Sequence, residues 1–585
     1  MKMSVTRRVL ATVASAGLLL VAAPTLAPAN AADACALGAT CQGALAGSLG
    51  TSPVTIQMPA KFNGTVLMYS HGYRFSTPVP AAFAGPTALN LGANPAYTAI
   101  QVPAFAASFG SPVAYQANNN PEVAPNDAVA ANLLSQGFAL AGAGYANQGW
   151  AAAEGVQAGE NLIRYINGGA IAGVKHIRAW GPSLGGLISQ TLAERNPGKI
   201  QSVMPFCGAV AGPEQAFSTA MTVLYSWKSL IAPTLKVANY GSYAEALGDL
   251  GTVLKVLGGA ATTPVTPVGY PLAQSNLLAG LMGGLPTKSS VYDGITVNPI
   301  IDVLAQNPAI GPGAAPGAAS AQGYSPVTAG ASSAVAMLQN VGTAAALGIL
   351  GRFDLEQRAR LIAQIPPTES ANFSDNVNVS YTSLLSPEQR GEFGDTLNAT
   401  TVMPNNLNAM LATLDSTKGN AAARFPANPK AIAAVRAIPA PKGTYGVPTM
   451  LMSTTYDPAV PAGNTGWLSD RLSASFKKGG SKGVYKVSAF YTVPPANGWT
   501  SFDPGGKAPS TPLSLAALGS SGVGHCVFTG EQIIGAVSTW SKITNATSTK
   551  QMKAANRGFW AVPGVNGDGG FQPDPLKRPN AKIQP

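Results

Sequence analysis

The chain has 585 residues, of which 46% are hydrophobic and only 10% are charged, and its formal net charge is +11. The hydrophobic fraction is ample for a large folded core. The positive charges are spread thinly, with no dense Lys/Arg run that interleaves aromatic residues, which argues against a nucleic-acid partner and predicts a mildly basic surface.

The first 31 residues have the pattern of a secretory signal peptide. Lys2, Arg7 and Arg8 give a basic start, residues 9–23 form an apolar run, and a small-x-small signal predicts cleavage after Ala31. The apolar run is shorter than the roughly 20 residues that a membrane-spanning helix needs, so we predict no membrane span. Removal of the leader lowers the formal net charge from +11 to +8. We therefore expect an extracellular or periplasmic protein, exported by either the general or the twin-arginine route.

The four cysteines of an exported chain indicate disulfide bonds. Cys35 and Cys41 are close enough to bridge the start of the mature chain, which leaves Cys207 and Cys526 for each other. No C-x-x-C pair or histidine cluster has the spacing of metal ligands, so we predict no metal site.

Strand and helix patterns alternate after the leader. Apolar runs predict strands at residues 64–70, 137–143, 176–180 and 200–206. Apolar residues at helical spacing predict helices at residues 151–166 and from residue 187 to a stop at 196–198.

The alternation breaks between residues 212 and 441. Helical patterns such as residues 217–231 alternate there with Pro/Gly-rich stretches, and residues 309–333 are nearly all Gly, Ala, Pro and Ser, which is typical of a flexible connection. Strand patterns return at residues 448–453 and 484–493. A closing helix at residues 531–543 follows.

This order of elements predicts an α/β fold with a mostly parallel sheet and helices on both faces. The predicted organisation begins with a signal peptide at residues 1–31. A two-part core at residues 32–211 and 442–548 follows, with a large helical cap inserted at residues 212–441. An irregular C-terminal tail is predicted at residues 549–585.

Ser183 is the candidate nucleophile. It lies in Gly181-Pro182-Ser183-Leu184-Gly185, a G-x-S-x-G pattern that follows a strand and precedes a helix. In such a nucleophile elbow, glycines relieve crowding at a sharp turn that presents the serine. A second match at residues 479–483 follows two lysines and is interpreted as a solvated turn.

These features together resemble the α/β hydrolases, and more narrowly the exported esterases and peptidases of bacteria. The elbow matches the superfamily pattern, His71-Gly72 after a strand resembles its oxyanion loop, and Asp457 and His525 lie in segments that resemble its acid and histidine loops. The landmarks extend over most of residues 60–545, with faint similarity between them. The resemblance implies an α/β-hydrolase fold with a catalytic triad.

The chain order serine, acid, histidine of such hydrolases identifies the base. His525 is the only histidine after Ser183, so it is predicted to be the base rather than a structural histidine. Asp457 is the preferred acid because it ends a strand, where a carboxylate can orient the imidazole. Asp470, on a predicted exposed helix turn, and Asp503 are the alternatives.

The oxyanion hole is predicted to use the backbone N–H groups of Leu184 and Tyr73. His71 is expected to shape this loop rather than act as a base, and His176 is expected at the surface. A bond between Cys207 and Cys526 would hold the His525 loop in place; two buried thiols are the alternative.

The predicted function is a secreted serine hydrolase of small-molecule or polymeric carboxylic esters that uses no cofactor. An aminopeptidase of the proline-aminopeptidase kind shares fold and triad, and would need an acidic cap residue to hold the substrate amine. Acyl transfer and a non-catalytic binding protein on the same scaffold stay open, as does the oligomeric state. The candidates for the acidic cap residue are Glu356, Glu369 and Glu388.

Overall fold

Eight strands form one sheet in the part of the chain that the computed structural model describes. The described residues are 34–76, 119–257, 272–286, 330–391, 406–480, 483–493, 525–565, 571 and 573–577. The strands are β1 (Thr40–Gly47), β2 (Gly50–Gln57), β3 (Thr65–Tyr69), β4 (Ala139–Ala143), β5 (His176–Pro182), β6 (Ser202–Phe206), β7 (Thr449–Thr454) and β8 (Val487–Thr492).

The sheet is mostly parallel. Its strand order is β1-β2-β4-β3-β5-β6-β7-β8, in which β1 and β2 form an antiparallel hairpin and β2 pairs antiparallel with β4. All pairings from β4 to β8 are parallel, and parallel neighbours require long crossover connections. All six strands expected from the sequence are present as β3 to β8, which confirms the predicted fold class.

Helices supply the crossovers and the cover of the sheet. In chain order they are α1 (Asp127–Ser135), α2 (Ala152–Tyr165), α3 (Leu184–Arg195), α4 (Gly212–Leu230), α5 (Tyr243–Leu257), α6 (Leu272–Gly283), α7 (Gly330–Ala363), α8 (Asn406–Asp415), α9 (Pro429–Arg436), α10 (Gly463–Lys478), α11 (Gly530–Asn545) and α12 (Thr549–Trp560).

The helix that follows the histidine loop begins at a sequence-encoded cap. The Thr529 hydroxyl accepts from the backbone N–H of Gln532, and the Gln532 side chain accepts from the backbone N–H of Thr529. This capping box satisfies two N–H groups that the first turn of a helix leaves without partners. It fixes the start of α11 at Gly530, five residues after His525.

Both faces of the sheet are buried at its central strands. Along β3, Val66 and Met68 lie in one hydrophobic cluster with α2 and α3, whereas Leu67 and Tyr69 lie in a second cluster with α1, α11 and α12. Alternate residues of a strand point to opposite faces, so the two clusters lie on opposite sides of the sheet. This explains why the strands are continuous apolar runs.

The segment between β6 and β7 is helical where it is described. Helices α4 to α9 lie in it, and α4 to α8 share a hydrophobic core of their own, whereas α9 packs in the cluster of α2 and α3. That core is built from large apolar side chains, including Leu224, Trp227, Leu250, Leu278, Leu350 and Met410.

Arg358 on α7 ties these helices to the sheet layer. Its guanidinium donates to Glu154 on α2 at 2.6 Å, to Asp354 at 3.0 Å and to the carbonyl of Gln148 at 2.6 Å. Asp354 also accepts from the backbone N–H of Trp150 at 2.9 Å. Burial raises the pKa of Asp354, and the positive charge of Arg358 acts against this rise.

The structure differs from the predicted elements in three places. The β1–β2 hairpin was not predicted, because its Gly, Ser and Ala residues give no clear apolar alternation. Residues 330–333 begin helix α7 instead of belonging to the flexible connection, the rest of which lies outside the described residues. The tail predicted as irregular from residue 549 begins with α12, which packs Met552 and Phe559 into the core.

The predicted signal peptide lies outside the described residues. Among the helices that are described, none combines the length and the apolar character needed to cross a membrane.

We predict that Arg358→Met lowers the free energy of unfolding by about 3–5 kcal/mol, because Glu154 and Asp354 then stay buried without their cation. Urea denaturation measures the loss. The matched control is Arg195→Met, which breaks an ion pair to Glu160 at 2.8 Å in which Arg195 is half exposed; its expected cost is below about 1 kcal/mol. Equal losses in the two variants would contradict the anchoring role.

Candidate active site

Ser183 occupies a sharp turn between a strand and a helix. β5 ends at Pro182, α3 begins at Leu184, and Ser183 has φ 54° and ψ −123°. A non-glycine residue at positive φ is strained, and this strain is typical of a serine that an elbow presents to a site. The G-x-S-x-G pattern therefore forms the predicted strand–turn–helix.

The flanking glycines are required by a close backbone approach. A Cβ on Gly181 would lie 2.2 Å from the carbonyl oxygen of Ser70, and a Cβ on Gly185 would lie 2.0 Å from the same oxygen. Ser70 directly follows β3, so the elbow packs against the end of the neighbouring strand. Side chains at these two positions would force the strand and the elbow apart.

Asp457 and His525 form a buried pair. His525 Nδ1 lies 3.0 Å from Oδ1 and 2.9 Å from Oδ2 of Asp457, whose side chain is fully buried. The carboxylate also accepts from the backbone N–H groups of Ala459, Val460 and Cys526 at 2.9, 2.8 and 3.3 Å. Such charge-assisted hydrogen bonds satisfy a carboxylate that burial would otherwise destabilise.

The other two acid candidates stand apart from this pair. Asp470 is exposed on α10, as the sequence predicts, and Asp503 lies outside the described residues. With its Nδ1–H donated to Asp457, a neutral His525 carries its lone pair on Nε2.

Ser183 and His525 line the same cavity, which has a volume of about 90 Å³. Leu184 and Tyr73 line it as well. The N–H of Leu184 lies in the first turn of α3, where helix geometry provides no acceptor for it. The structure thus brings together every residue that the sequence predicts for the nucleophile, base and oxyanion hole.

Most of the cavity wall was not predicted. It is apolar and includes Phe75 and Trp150 from the core side, and Phe217 and Leu347 from α4 and α7. In the sequence these residues have the pattern of ordinary core positions, so no local signal distinguishes them. Only their proximity to Ser183 in the folded chain marks them.

His71 shapes the loop after β3. Its ring stacks on Tyr145 with 3.7 Å between the centroids, and its Nδ1 lies 2.8 Å from the carbonyl of Gly72. The Tyr145 hydroxyl donates to the His71 carbonyl at 2.9 Å. Burial, and then the charge of Arg74, lowers the pKa of His71 well below its ordinary value of 6.5. His71 is therefore a neutral structural residue, and His176 is exposed at the start of β5, as predicted.

Both predicted disulfides are present. One joins Cys35 to Cys41, and the other joins Cys207, directly after β6, to Cys526, the residue after His525. The Cys207 N–H also donates to the carbonyl of Met452 on β7 at 2.6 Å. The second bond therefore holds the histidine loop at the edge of the sheet where β6 and β7 end.

A metal ion does not fit this cluster of donors. One donor atom each from Cys207, Asp457, His525 and Cys526 lie within 4.8 Å of one another. Two of the four are sulfurs of a disulfide, which offers no thiolate, and zinc binds cysteine as the thiolate. The remaining carboxylate and imidazole are hydrogen-bonded to each other.

A strained serine after β5 and an acid after β7 in one mostly parallel sheet, with a histidine later in the chain, meet the structural criteria of the nucleophile-elbow enzymes. The chain has the α/β-hydrolase fold. Comparison with protein-family models and with curated protein sequences gave no match.

Similar solved structures include three hydrolases. An esterase from Aspergillus oryzae is 11% identical, with a TM-score of 0.32 and coverage of 80% of this chain and 77% of that chain. The rice cell wall degrading esterase LipA from Xanthomonas oryzae is 15% identical, with a TM-score of 0.27 and coverage of 77% and 81%. A lidless serine hydrolase from Xanthomonas campestris is 11% identical, with a TM-score of 0.19.

This chain covers 64% of the Xanthomonas campestris chain, and the match takes in 30% of this one. The fold assignment rests on the sheet and the elbow described above.

We predict that loss of the Cys207–Cys526 bond costs far more stability than loss of the Cys35–Cys41 bond. The bonds span 319 and 6 residues, for which the chain-entropy description gives about 6 and about 2 kcal/mol. Paired Cys→Ser variants at each bond, unfolded in urea, measure the difference. Similar losses of stability, or a larger loss at the Cys35–Cys41 pair, would contradict this prediction.

His71 predicts a specific pH dependence of stability. The unfolded chain takes up a proton at His71 as the pH falls through 6.5, whereas the folded chain holds it neutral, so stability falls with falling pH. His71 thereby lowers the free energy of unfolding by up to about 1.4 kcal/mol for each unit by which the pH falls. His71→Phe should flatten the fall of unfolding free energy between about pH 6.5 and about pH 5.5. Tyr145→Phe, which keeps the stacked ring, is the control that should retain the slope, and an unchanged slope in His71→Phe would reject the prediction.

Proposed function

We propose that the protein is an exported serine hydrolase that cleaves carboxylic esters, small or polymeric, through Ser183, His525 and Asp457. The observation that carries the proposal is the buried Asp457–His525 pair beside a cavity that also contains the strained Ser183. Side chains supply all the chemistry in this reaction, and no cofactor takes part.

In the first half of the reaction, Ser183 Oγ attacks the ester carbonyl carbon while His525 Nε2 accepts the hydroxyl proton. The bond between the carbonyl carbon and the alcohol oxygen then breaks, and His525 returns the proton to the leaving alcohol. In the second half, His525 takes a proton from water as the water oxygen attacks the acyl carbon. The carboxylic acid leaves and Ser183 recovers its proton.

Asp457 acts through His525 rather than on the substrate. Its contacts to Nδ1 at 2.9 and 3.0 Å fix the imidazole tautomer and stabilise the imidazolium that forms during both half-reactions. Backbone N–H groups hold the Asp457 carboxylate in place, so the imidazole is hydrogen-bonded to a negative charge whose position is fixed.

The negative charge on the carbonyl oxygen would develop near the start of α3. The N–H of Leu184 and the positive end of the helix dipole face that region, and Tyr73 is the proposed second donor.

The cavity favours ester hydrolysis over aminopeptidase activity. An aminopeptidase would need an anion near Ser183, and no Asp or Glu is among the described residues that line the cavity. Glu356 is buried beside Arg352, Glu369 pairs with Lys430, and Glu388 lines a different cleft.

Export is supported by the leader pattern and by the two disulfides, which form and persist in oxidising compartments. We propose cleavage of the leader after Ala31, so that the protein acts outside the cytoplasm.

We predict that Ser183→Ala abolishes hydrolysis of p-nitrophenyl butanoate and that Asp457→Asn lowers kcat about 10⁴-fold, because the amide favours the wrong imidazole tautomer. Steady-state kinetics on folded variants, checked by circular dichroism, measure both effects. Asp470→Asn replaces an exposed carboxylate and should leave kcat unchanged.

The same assay separates the proposal from its alternatives. Hydrolysis of aminoacyl anilides without any hydrolysis of esters would establish a peptidase. Full esterase activity in Ser183→Ala, or equal effects of Asp457→Asn and Asp470→Asn, would reject the triad.

A further inference from the structure

Two helices form one side of the cavity beside Ser183. Four lining residues lie on α4 and four on α7. Their spacings of three and four residues place each set on one face of its helix. They are Ala216, Phe217, Thr219 and Ala220 on α4, and Ala344, Leu347, Gly348 and Gly351 on α7.

Glycines bring the two helices close together at the cavity. A Cβ on Gly348 would lie 2.5 Å from the Cβ of Ala220, and a Cβ on Gly351 would lie 2.7 Å from the Phe217 ring. The helices are therefore in contact at these positions, and the space that remains is set by the neighbouring side chains. Leu347, which is half buried, is the largest aliphatic side chain that α7 contributes to the wall.

The part of this wall that Phe217 forms is held in place by a buried cation. The Arg352 guanidinium lies 4.8 Å from the Phe373 ring centroid and 5.9 Å from the Phe217 ring centroid. It also donates to the Phe217 carbonyl at 3.3 Å and to the Ser374 hydroxyl at 3.0 Å. Phe217 is fixed by these contacts, so the cavity cannot widen on this side without breaking buried hydrogen bonds.

The lining chemistry selects an uncharged, apolar group. Apart from Ser183 and His525, its polar side chains are the neutral Thr219 and Tyr73, together with the Trp150 indole; Asp, Glu, Lys and Arg are missing from the described lining. A charged group would lose its hydration there without gaining a counter-ion.

The volume limits the length of that group. The volume of about 90 Å³ is smaller than the roughly 150 Å³ cavity that accepts benzene, a ring of six carbons, so the cavity suits a smaller group of about four carbons. The alcohol of an ester leaves after the first half-reaction, whereas the acyl group stays on Ser183 for the second. A buried apolar cavity beside the serine therefore suits the acyl part.

Resting on the proposed function, we infer that the cavity between the loops of Ser183 and His525 and the wall formed by α4 and α7 is the acyl site, that it selects esters of aliphatic acids of about four carbons, and that Leu347 limits the chain length. Longer or aromatic acyl groups would have to displace Leu347 or the fixed Phe217 ring, which close-packed interiors resist.

The test is kcat/KM for p-nitrophenyl acetate, butanoate, octanoate and benzoate. Each methylene buried contributes about fourfold, so butanoate should exceed acetate about 15-fold. Octanoate and benzoate should fall at least tenfold below butanoate. Leu347→Ala should raise the octanoate-to-butanoate ratio at least tenfold, and Leu347→Phe should shift the preference to acetate.

Leu361→Ala is the matched control on the same helix, because Leu361 is 82% exposed and far from the cavity lining. Its acyl preference should equal that of the unmodified protein. An acyl preference unchanged in both Leu347 variants, or a wild-type preference for octanoate, would overturn the inference while leaving the esterase proposal intact.

A second readout does not depend on turnover. Crystals of Ser183→Ala soaked with p-nitrophenyl butanoate should show the butanoyl chain between Phe217 and Leu347. A chain placed elsewhere would overturn the acyl-site inference. If the chain binds there but the unmodified protein hydrolyses none of the esters, the proposed function fails and the binding inference stands.

Discussion

The contact between Asp457 and His525 joins residues 68 positions apart and places a carboxylate where water does not reach it. A buried charge of this kind costs several kcal/mol unless it is paired and hydrogen-bonded. Here three backbone N–H groups and one imidazole N–H meet that requirement, so the loop after β7 must keep its conformation for the charge to be tolerated. The orientation of His525 toward the cavity depends on this arrangement.

The sheet order explains why the remaining groups meet there. β5, β6 and β7 are adjacent and parallel, so the residues that follow them emerge at the same edge. Ser183 follows β5, Cys207 follows β6 and Asp457 follows β7. The Cys207–Cys526 cystine at the end of the middle strand holds Cys526, and with it the histidine loop, at this edge. The ends of three neighbouring strands thus supply the proposed nucleophile, the disulfide that holds the histidine loop, and the proposed acid.

Local sequence pattern was sufficient for the features that depend on the backbone. Ser183 was identifiable because an elbow needs glycines between a strand and a helix, and Asp457 because it follows an apolar run. The β1–β2 hairpin was missed, since its small and polar residues become ordered by packing on the rest of the fold. Helix α12 was missed although Ser548 caps it and Met552, Ala555 and Phe559 follow a helical spacing. The cavity wall was not predictable either: Phe217 and Leu347 lie 130 residues apart, and nothing local indicates that both line a cavity beside Ser183.

The Cys207–Cys526 bond also closes the whole helical segment between β6 and β7 into one covalent ring, because both ends of that segment lie inside the 319-residue span. A single backbone cut anywhere within the ring leaves one molecule, with both pieces still joined at the edge where Ser183 and Asp457 meet. Proteolytic nicking of the helical segment would then not release the segment from the sheet. The two fragments would separate only once the cystine is reduced.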